Sequence, residues 1–149
     1  MIVVGIDPDA ERHGVAIYEG GRLTELDTMY LVDIFERFID ATGVMFSIEN
    51  VTANKFLYRR NRNSSRAVEH KVAMSVGRNQ QAQVELLRVI EYMQHPHVLY
   101  RPTGRNWAEN KALFEQRTGW TGRSNKDTRS AAYFGYCALR DMGGKIIEF

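Results

Sequence analysis

The chain predicts an α/β fold, a mixed central β-sheet flanked by α-helices, and three features of the sequence predict it. Short apolar runs with glycine-marked turns open the chain, and helical and strand periodicities then alternate. The length of 149 residues suits a single domain, 1–149, with a core of its own.

The first run, Ile2 to Asp7, is apolar up to its last residue, and Gly14 to Glu19 and Arg22 to Thr28 follow it as strands. Gly20 and Gly21 between the last two mark a hairpin. Leu31, Ile34, Phe35, Phe38 and Ile39 recur at helical spacing, which predicts a helix from Leu31 to Ala41 ended by Gly43. Val44 to Ile48 is a short apolar strand running into Glu49. After a basic, Asn- and Ser-rich stretch from Thr52 to Ser65, a long helical pattern spans about Arg66 to Gln94. Gly77 interrupts it at a cost of about 1 kcal/mol relative to alanine, which points to close packing or the close approach of a ligand there. His97 to Tyr100 predicts a strand, Asn106 to Arg117 a helix, and Asp127 to Met142 a last helix closed by Gly143 and Gly144. Neither an internal repeat nor a low-complexity tail is present.

Net charge is only +2, but it is unevenly spread. Residues 1 to 54 hold ten acids and three Lys or Arg, whereas residues 55 to 149 hold eight acids and seventeen Lys or Arg. An acidic centre beside a basic surface suits a metal-dependent enzyme that acts on a polyanion. The single cysteine, Cys137, excludes an intramolecular disulfide, and the opening MIVVGID has neither a basic region nor a long apolar run. A reducing, cytoplasmic setting with no membrane span is the expectation.

Two strands end in acids. Asp7 closes the first and is followed by Pro8, and Glu49 closes the strand from Val44. A desolvated carboxylate needs a cation or several hydrogen bonds to stay ionised. Two readings of Asp7 stand on its own segment: a metal ligand, or a turn residue bonded to its own backbone. If the two strands are parallel neighbours, about 4.8 Å apart, their acids emerge side by side, and both ionise only around a cation. Asp127, at the start of the last helix, either closes that site or serves as an ordinary acid in a first helical turn. Hard oxygen donors select Mg²⁺ or Mn²⁺, and one cysteine with four scattered histidines offers zinc no tetrahedral spacing. His13 and His70 have two readings, acid or orienting groups near a phosphate or plain surface histidines, and the surface is the expectation.

Together, GIDPDAERHG, SIENV, HKVAMSVGRNQQAQVELL and KDTRSAAYFGYCAL resemble the RuvC branch of the RNase H-like nuclease superfamily over essentially the whole chain. The resemblance implies an RNase H-like fold and a homodimeric crossover junction endodeoxyribonuclease. Such an enzyme nicks two strands of a four-way (Holliday) DNA junction with Mg²⁺ or Mn²⁺, two ions per site, in DNA recombination and repair. On this resemblance Asp7, Glu49 and Asp127 hold metal, and Ser130 stands where a second helix acid is usual and could hold a metal-bound water. Asp9 stands where glycine is usual, and Thr52 where an aromatic is often found. Arg105 and Lys111 fall in a region that carries basic residues touching the scissile phosphate, Lys111 being the better catalytic candidate, while Trp107 reads as core. Two divalent ions about 4 Å apart can generate the attacking hydroxide and neutralise the leaving oxygen.

The segment KFLYRRNRNSSR sets Lys55, Arg59, Arg60, Arg62 and Arg66 around Phe56 and Tyr58, five cations with no acid in twelve residues. Phosphate contact interleaved with base stacking is the DNA-binding reading of such a stretch, and a solvated loop is the plain one. The long helix from Arg66 carries more apolar positions than one sheet face covers. It is therefore the candidate dimer interface, the alternative being that its second face packs on the helix from Asn106 to Arg117. Three other functions stay open: a less specific branch or flap nuclease, a catalytically silent junction-binding module suggested by Ser130, and a sugar-kinase-like phosphate domain, for which the chain is too short.

Overall fold

The structure, a computed structural model, describes residues 1–53 and 66–143. Its elements run β1 (Ile2–Asp7), β2 (His13–Glu19), β3 (Arg22–Met29), α1 (Leu31–Phe38), β4 (Val44–Glu49), a 3-10 turn (Val51–Ala53), α2 (Arg66–Tyr92), β5 (His97–Tyr100), α3 (Lys111–Thr118) and α4 (Lys126–Asp141). The five strands form one sheet in the order β3-β2-β1-β4-β5. β1 pairs antiparallel with β2 and parallel with β4, and β4 pairs parallel with β5, so the sheet is mixed as the sequence predicts. The architecture is that of the RNase H-like α/β fold.

Side-chain alternation sorts the two layers. Val4, Ile6, Val15, Ile17, Val44, Phe46 and Ile48 face α1 and α2, where they meet Ile34, Phe38, Leu86 and Ile90. Val3, Ala16 and Tyr18 face the other way, toward α4 and α3, with Trp107, Phe114, Ala131, Ala132 and Ala138. Trp107 is a core residue, its ring 5.4 Å from that of Tyr133 and 5.1 Å from that of Tyr136. α3 begins at Lys111, later than the pattern from Asn106 suggests, because the Asn110 side chain accepts from the Leu113 N–H and caps the helix there.

α4 lies unusually close to the sheet, and glycines permit it. A Cβ on Gly5 of β1 would stand 2.0 Å from the Ala131 carbonyl oxygen, and one on Gly135 would stand 2.6 Å from the Tyr18 ring. Two buried hydrogen bonds tie this packing down: Tyr18 Oη donates to Ala132 O at 2.6 Å, and Ser47 Oγ donates to Phe134 O at 2.5 Å.

α2 behaves otherwise than predicted. Its buried residues are Gln83, Leu86 and Ile90, all in its second half. A helix of 27 residues is about 40 Å long, about twice the length of a six-residue strand, so one end overhangs the sheet. α2 belongs to the layer of α1, whereas Phe114 of α3 sits in the opposite layer, so the two helices do not pack on each other. A Cβ on Gly77 would meet nothing within 4 Å, so among the described residues the expected close packing there is not found.

Candidate active site

Strand parity decides where the acids point. Val3 and Gly5 of β1 face α4, so Asp7, two residues on, faces it too. On β4, Ser47 reaches α4, and Glu49 shares its side. The parallel register pairs Ile6 with Ile48, so Asp7 and Glu49 are the next residues on neighbouring strands. Their carboxyl groups share a hydrogen bond.

The electrostatics follow from that placement. Burial, foremost, and then the charge of Glu49 push Asp7 well above the usual carboxylate range, and Asp127 adds to the shift while a hydrogen bond from Ser130 opposes it. Burial also raises Glu49, partly offset by the hydrogen bond with Asp7. Both carboxyl groups are thus held above the usual carboxylate range, so that without a cation the pair favours sharing one proton over carrying two charges. The turn role falls to Asp9 instead, whose Oδ1 accepts from the Glu11 N–H at 3.0 Å.

α4 brings the third acid. Asn125 caps this helix: its Oδ1 accepts from the Thr128 N–H at 2.8 Å, and Thr128 Oγ1 accepts from the Asn125 N–H at 2.9 Å. Asp127 is therefore not needed as the cap, and its carboxylate makes no hydrogen bond among the described residues. Burial, and then the charge of Asp9, raise its pKa. Asp9, Glu11, Arg12, Thr28, Asn125 and Asp127 line a cleft beside it. One turn along, Ser130 is buried and within hydrogen-bonding reach of Asp7.

The sequence reading of the other candidates meets mixed fates. Lys111 opens α3 as an exposed side chain and bonds to none of the three acids. Arg105 is exposed in the preceding loop, and Arg66 is exposed at the start of α2. Lys55, Phe56, Tyr58, Arg59, Arg60 and Arg62 lie outside the described residues. His70 is at the surface as expected, but His13 is not: it is 3% exposed, and burial lowers its pKa to about 4. Its Nδ1 accepts from the Asp9 N–H at 3.2 Å, so this imidazole braces the loop after Asp7. The final residue of the GIDPDAERHG motif, Gly14, was also not singled out by sequence, although its role beneath Asp127 explains why glycine stands there.

Donor chemistry fits a hard divalent cation: two neighbouring carboxylates, both raised by burial, with a third as a charge neighbour. The compact element is the pair. Among the described residues no three His, Cys, Asp or Glu side chains stand close enough to form a ready-made cage.

No protein-family model matches the chain, and no curated protein matches it significantly. Solved structures do. A structure described as T. thermophilus RuvC in complex with Holliday junction substrate is 19% identical, with 97% of this chain and 98% of that chain covered and a TM-score of 0.58. A second, described as Thermus thermophilus RuvC, is 17% identical over the same shares, with a TM-score of 0.55. The likeness spans both chains end to end and establishes the RuvC-like fold. Among the described residues no helix is long and apolar enough to cross a membrane.

Proposed function

We propose that the chain is a metal-dependent endodeoxyribonuclease that nicks four-way DNA junctions. The observation that carries this reading is the Asp7–Glu49 pair, placed by parity and register on adjacent parallel strand ends and faced by Asp127 and Ser130 of α4. The RuvC-like fold, shared with a protein solved on a Holliday junction, supports a branched-DNA substrate.

Asp7 and Glu49 would hold Mg²⁺ or Mn²⁺, two ions per site, with Asp127 adding charge from the facing helix. Such ions, when bound, activate the attacking water and neutralise the leaving oxygen of a phosphodiester. The protein's own residues do the rest. Ser130 orients the Asp7 carboxyl through its hydrogen bond. His13, neutral at physiological pH, fixes the backbone that follows Asp7. Exposed Arg66, Arg105 and Lys111 offer phosphate contacts around this end of the sheet, and the 55–62 segment, joining the Glu49 turn to α2, adds Lys55, Arg59, Arg60 and Arg62 with Phe56 and Tyr58 for stacking. Cutting two strands related by a junction's two-fold axis needs two such sites, so the working unit is a homodimer, with the overhanging half of α2 as its interface. A cytoplasmic setting accords with the single buried thiol of Cys137.

Incubation with labelled four-way, three-way and linear duplex DNA in Mg²⁺ or Mn²⁺ tests this reading. Paired symmetric nicks in the four-way junction support it. Nicking of every branched substrate alike selects the branch nuclease, and binding without cleavage selects the silent module.

A further inference from the structure

The face of α2 that turns toward the sheet changes character along its length. Ile90 and Leu86 are fully buried in the core, and one and two turns earlier the same stripe continues as Gln83 and Asn79. Each of these two polar side chains ends on a loop that follows one of the paired acids. Asn79 Oδ1 accepts from the N–H of Ala10, three residues after Asp7, at 3.1 Å. Gln83 Oε1 accepts from the N–H of Val51, two residues after Glu49, at 2.6 Å, and its Nε2 donates to Asn50 Oδ1 at 3.0 Å. Asn50 Oδ1 also accepts from Thr52 Oγ1 at 2.5 Å, so Gln83 anchors a small network and not a single bond. Gln83 is only 3% exposed, a burial that a glutamine tolerates only when its amide is satisfied at both ends.

We propose that Asn79 and Gln83, four residues apart on α2, are positioning residues that set the spacing of Asp7 and Glu49 by gripping the loop behind each. The inference rests on the nuclease reading for its activity readout, and its physical basis is independent of it. β1 and β4 hold the two acids in backbone register only up to Ile6 and Ile48. Asp7 and Glu49 are paired outward, with Gly14 of β2 and Tyr100 of β5, but no ladder pair between β1 and β4 ties the two chain ends to each other at that level. A helix bonded to both at an i, i+4 spacing does, because that spacing is rigid. The same helix carries the exposed stretch that begins at Arg66, so a load on that stretch reaches both acid loops together.

The test compares Asn79→Leu, Asn79→Asp, Gln83→Leu and wild type. Groups that orient metal-binding carboxylates typically matter by about 10- to 100-fold in metal affinity or activity. Asn79→Leu and Gln83→Leu are expected to raise the Mn²⁺ concentration for half-maximal nicking and to lower kcat within that range, with KM for the junction unchanged. Asn79→Asp keeps an oxygen acceptor for the Ala10 N–H and is expected to recover most of the loss. Variants that merely melt earlier, with wild-type kcat and Mn²⁺ requirement at 25 °C, overturn the proposal. Absence of nicking by wild type in either metal overturns the nuclease reading instead. Amide hydrogen exchange then decides the grip itself: faster exchange at Ala10 in Asn79→Leu and at Val51 in Gln83→Leu upholds it, and unchanged exchange refutes it.

Discussion

Gly14 lies directly beneath the backbone of Asp127: a Cβ added at Gly14 would stand 2.4 Å from the Asp127 carbonyl oxygen and 2.7 Å from its carbonyl carbon. No side chain fits between β2 and the first turn of α4, so the distance from the helix acid to the Asp7–Glu49 pair is set by the absence of one.

Gly14→Ala is therefore expected to push the start of α4 outward. Overpacking of this kind costs about 1 to 3 kcal/mol. Thermal unfolding should show that loss, and nicking should fall further than the lost stability explains, because Asp127 and Ser130 move with the helix. Equal activity per folded molecule would mean that the helix accommodates the methyl group without shifting its acid.

Asp7→Asn and Glu49→Gln are each expected to abolish nicking while leaving metal-free junction binding within about twofold, since a neutral isostere removes a donor for the cation and leaves the basic surface intact. Gel-based cleavage and binding measured side by side check this. More than about a tenth of wild-type nicking in either variant would remove that residue from the metal site.

The buried pair makes stability depend on pH. Asp7 is raised from 3.8 to about 9, chiefly by burial and by the Glu49 charge. A raised folded-state value means that the folded protein binds the proton more tightly than the unfolded chain. This contribution is complete below the unfolded value and is lost as pH rises through the folded one. Below about pH 6.5 the buried His13, lowered to about 4, works in the opposite direction, so metal-free protein is expected to lose Tm mainly from pH 6.5 to pH 8, and Asp7→Asn to flatten that part of the profile and melt higher at pH 8. Each kcal/mol corresponds to about 2 to 4 °C for a chain of this size. Added Mn²⁺ should raise the Tm of wild type and not of Asp7→Asn. A wild-type profile that is flat with pH would show that the two carboxyl groups do not share their proton in solution.

Neutralising Arg59, Arg60 and Arg62 together is expected to weaken junction binding and to flatten its log–log salt dependence by up to about 0.9 for each phosphate that is no longer paired with a cation. Titrations at several salt concentrations read the slope. An unchanged slope would leave the segment outside the DNA interface.

Light scattering at micromolar concentration is expected to report a dimer, and Met74→Glu, on the exposed part of α2, to shift it toward monomer. A wild-type monomer both alone and with junction DNA would favour the single-nick branch nuclease.

Sequence alone determined the local elements and the residues at their ends. A short continuous apolar run is a property of neighbouring residues, so β1 and β4 were legible as buried strands, and Asp7 and Glu49 as the acids that close them. What sequence could not supply was the arrival of groups from far along the chain. Gly5, Gly14 and Gly135 read locally as weak strand and helix formers, and only the docking of α4 more than a hundred residues after β1 turns the first two into the surface that seats Ala131 and Asp127. His13 read as a surface histidine because its polarity is local information and its burial is not. Periodicity found α2 but not its overhang, since the length of a helix is written in the sequence and the width of the sheet it must cover is decided by the fold. Nothing local marks Asn79 and Gln83 on that helix; only tertiary structure puts a backbone N–H from each acid's loop within hydrogen-bonding distance of them.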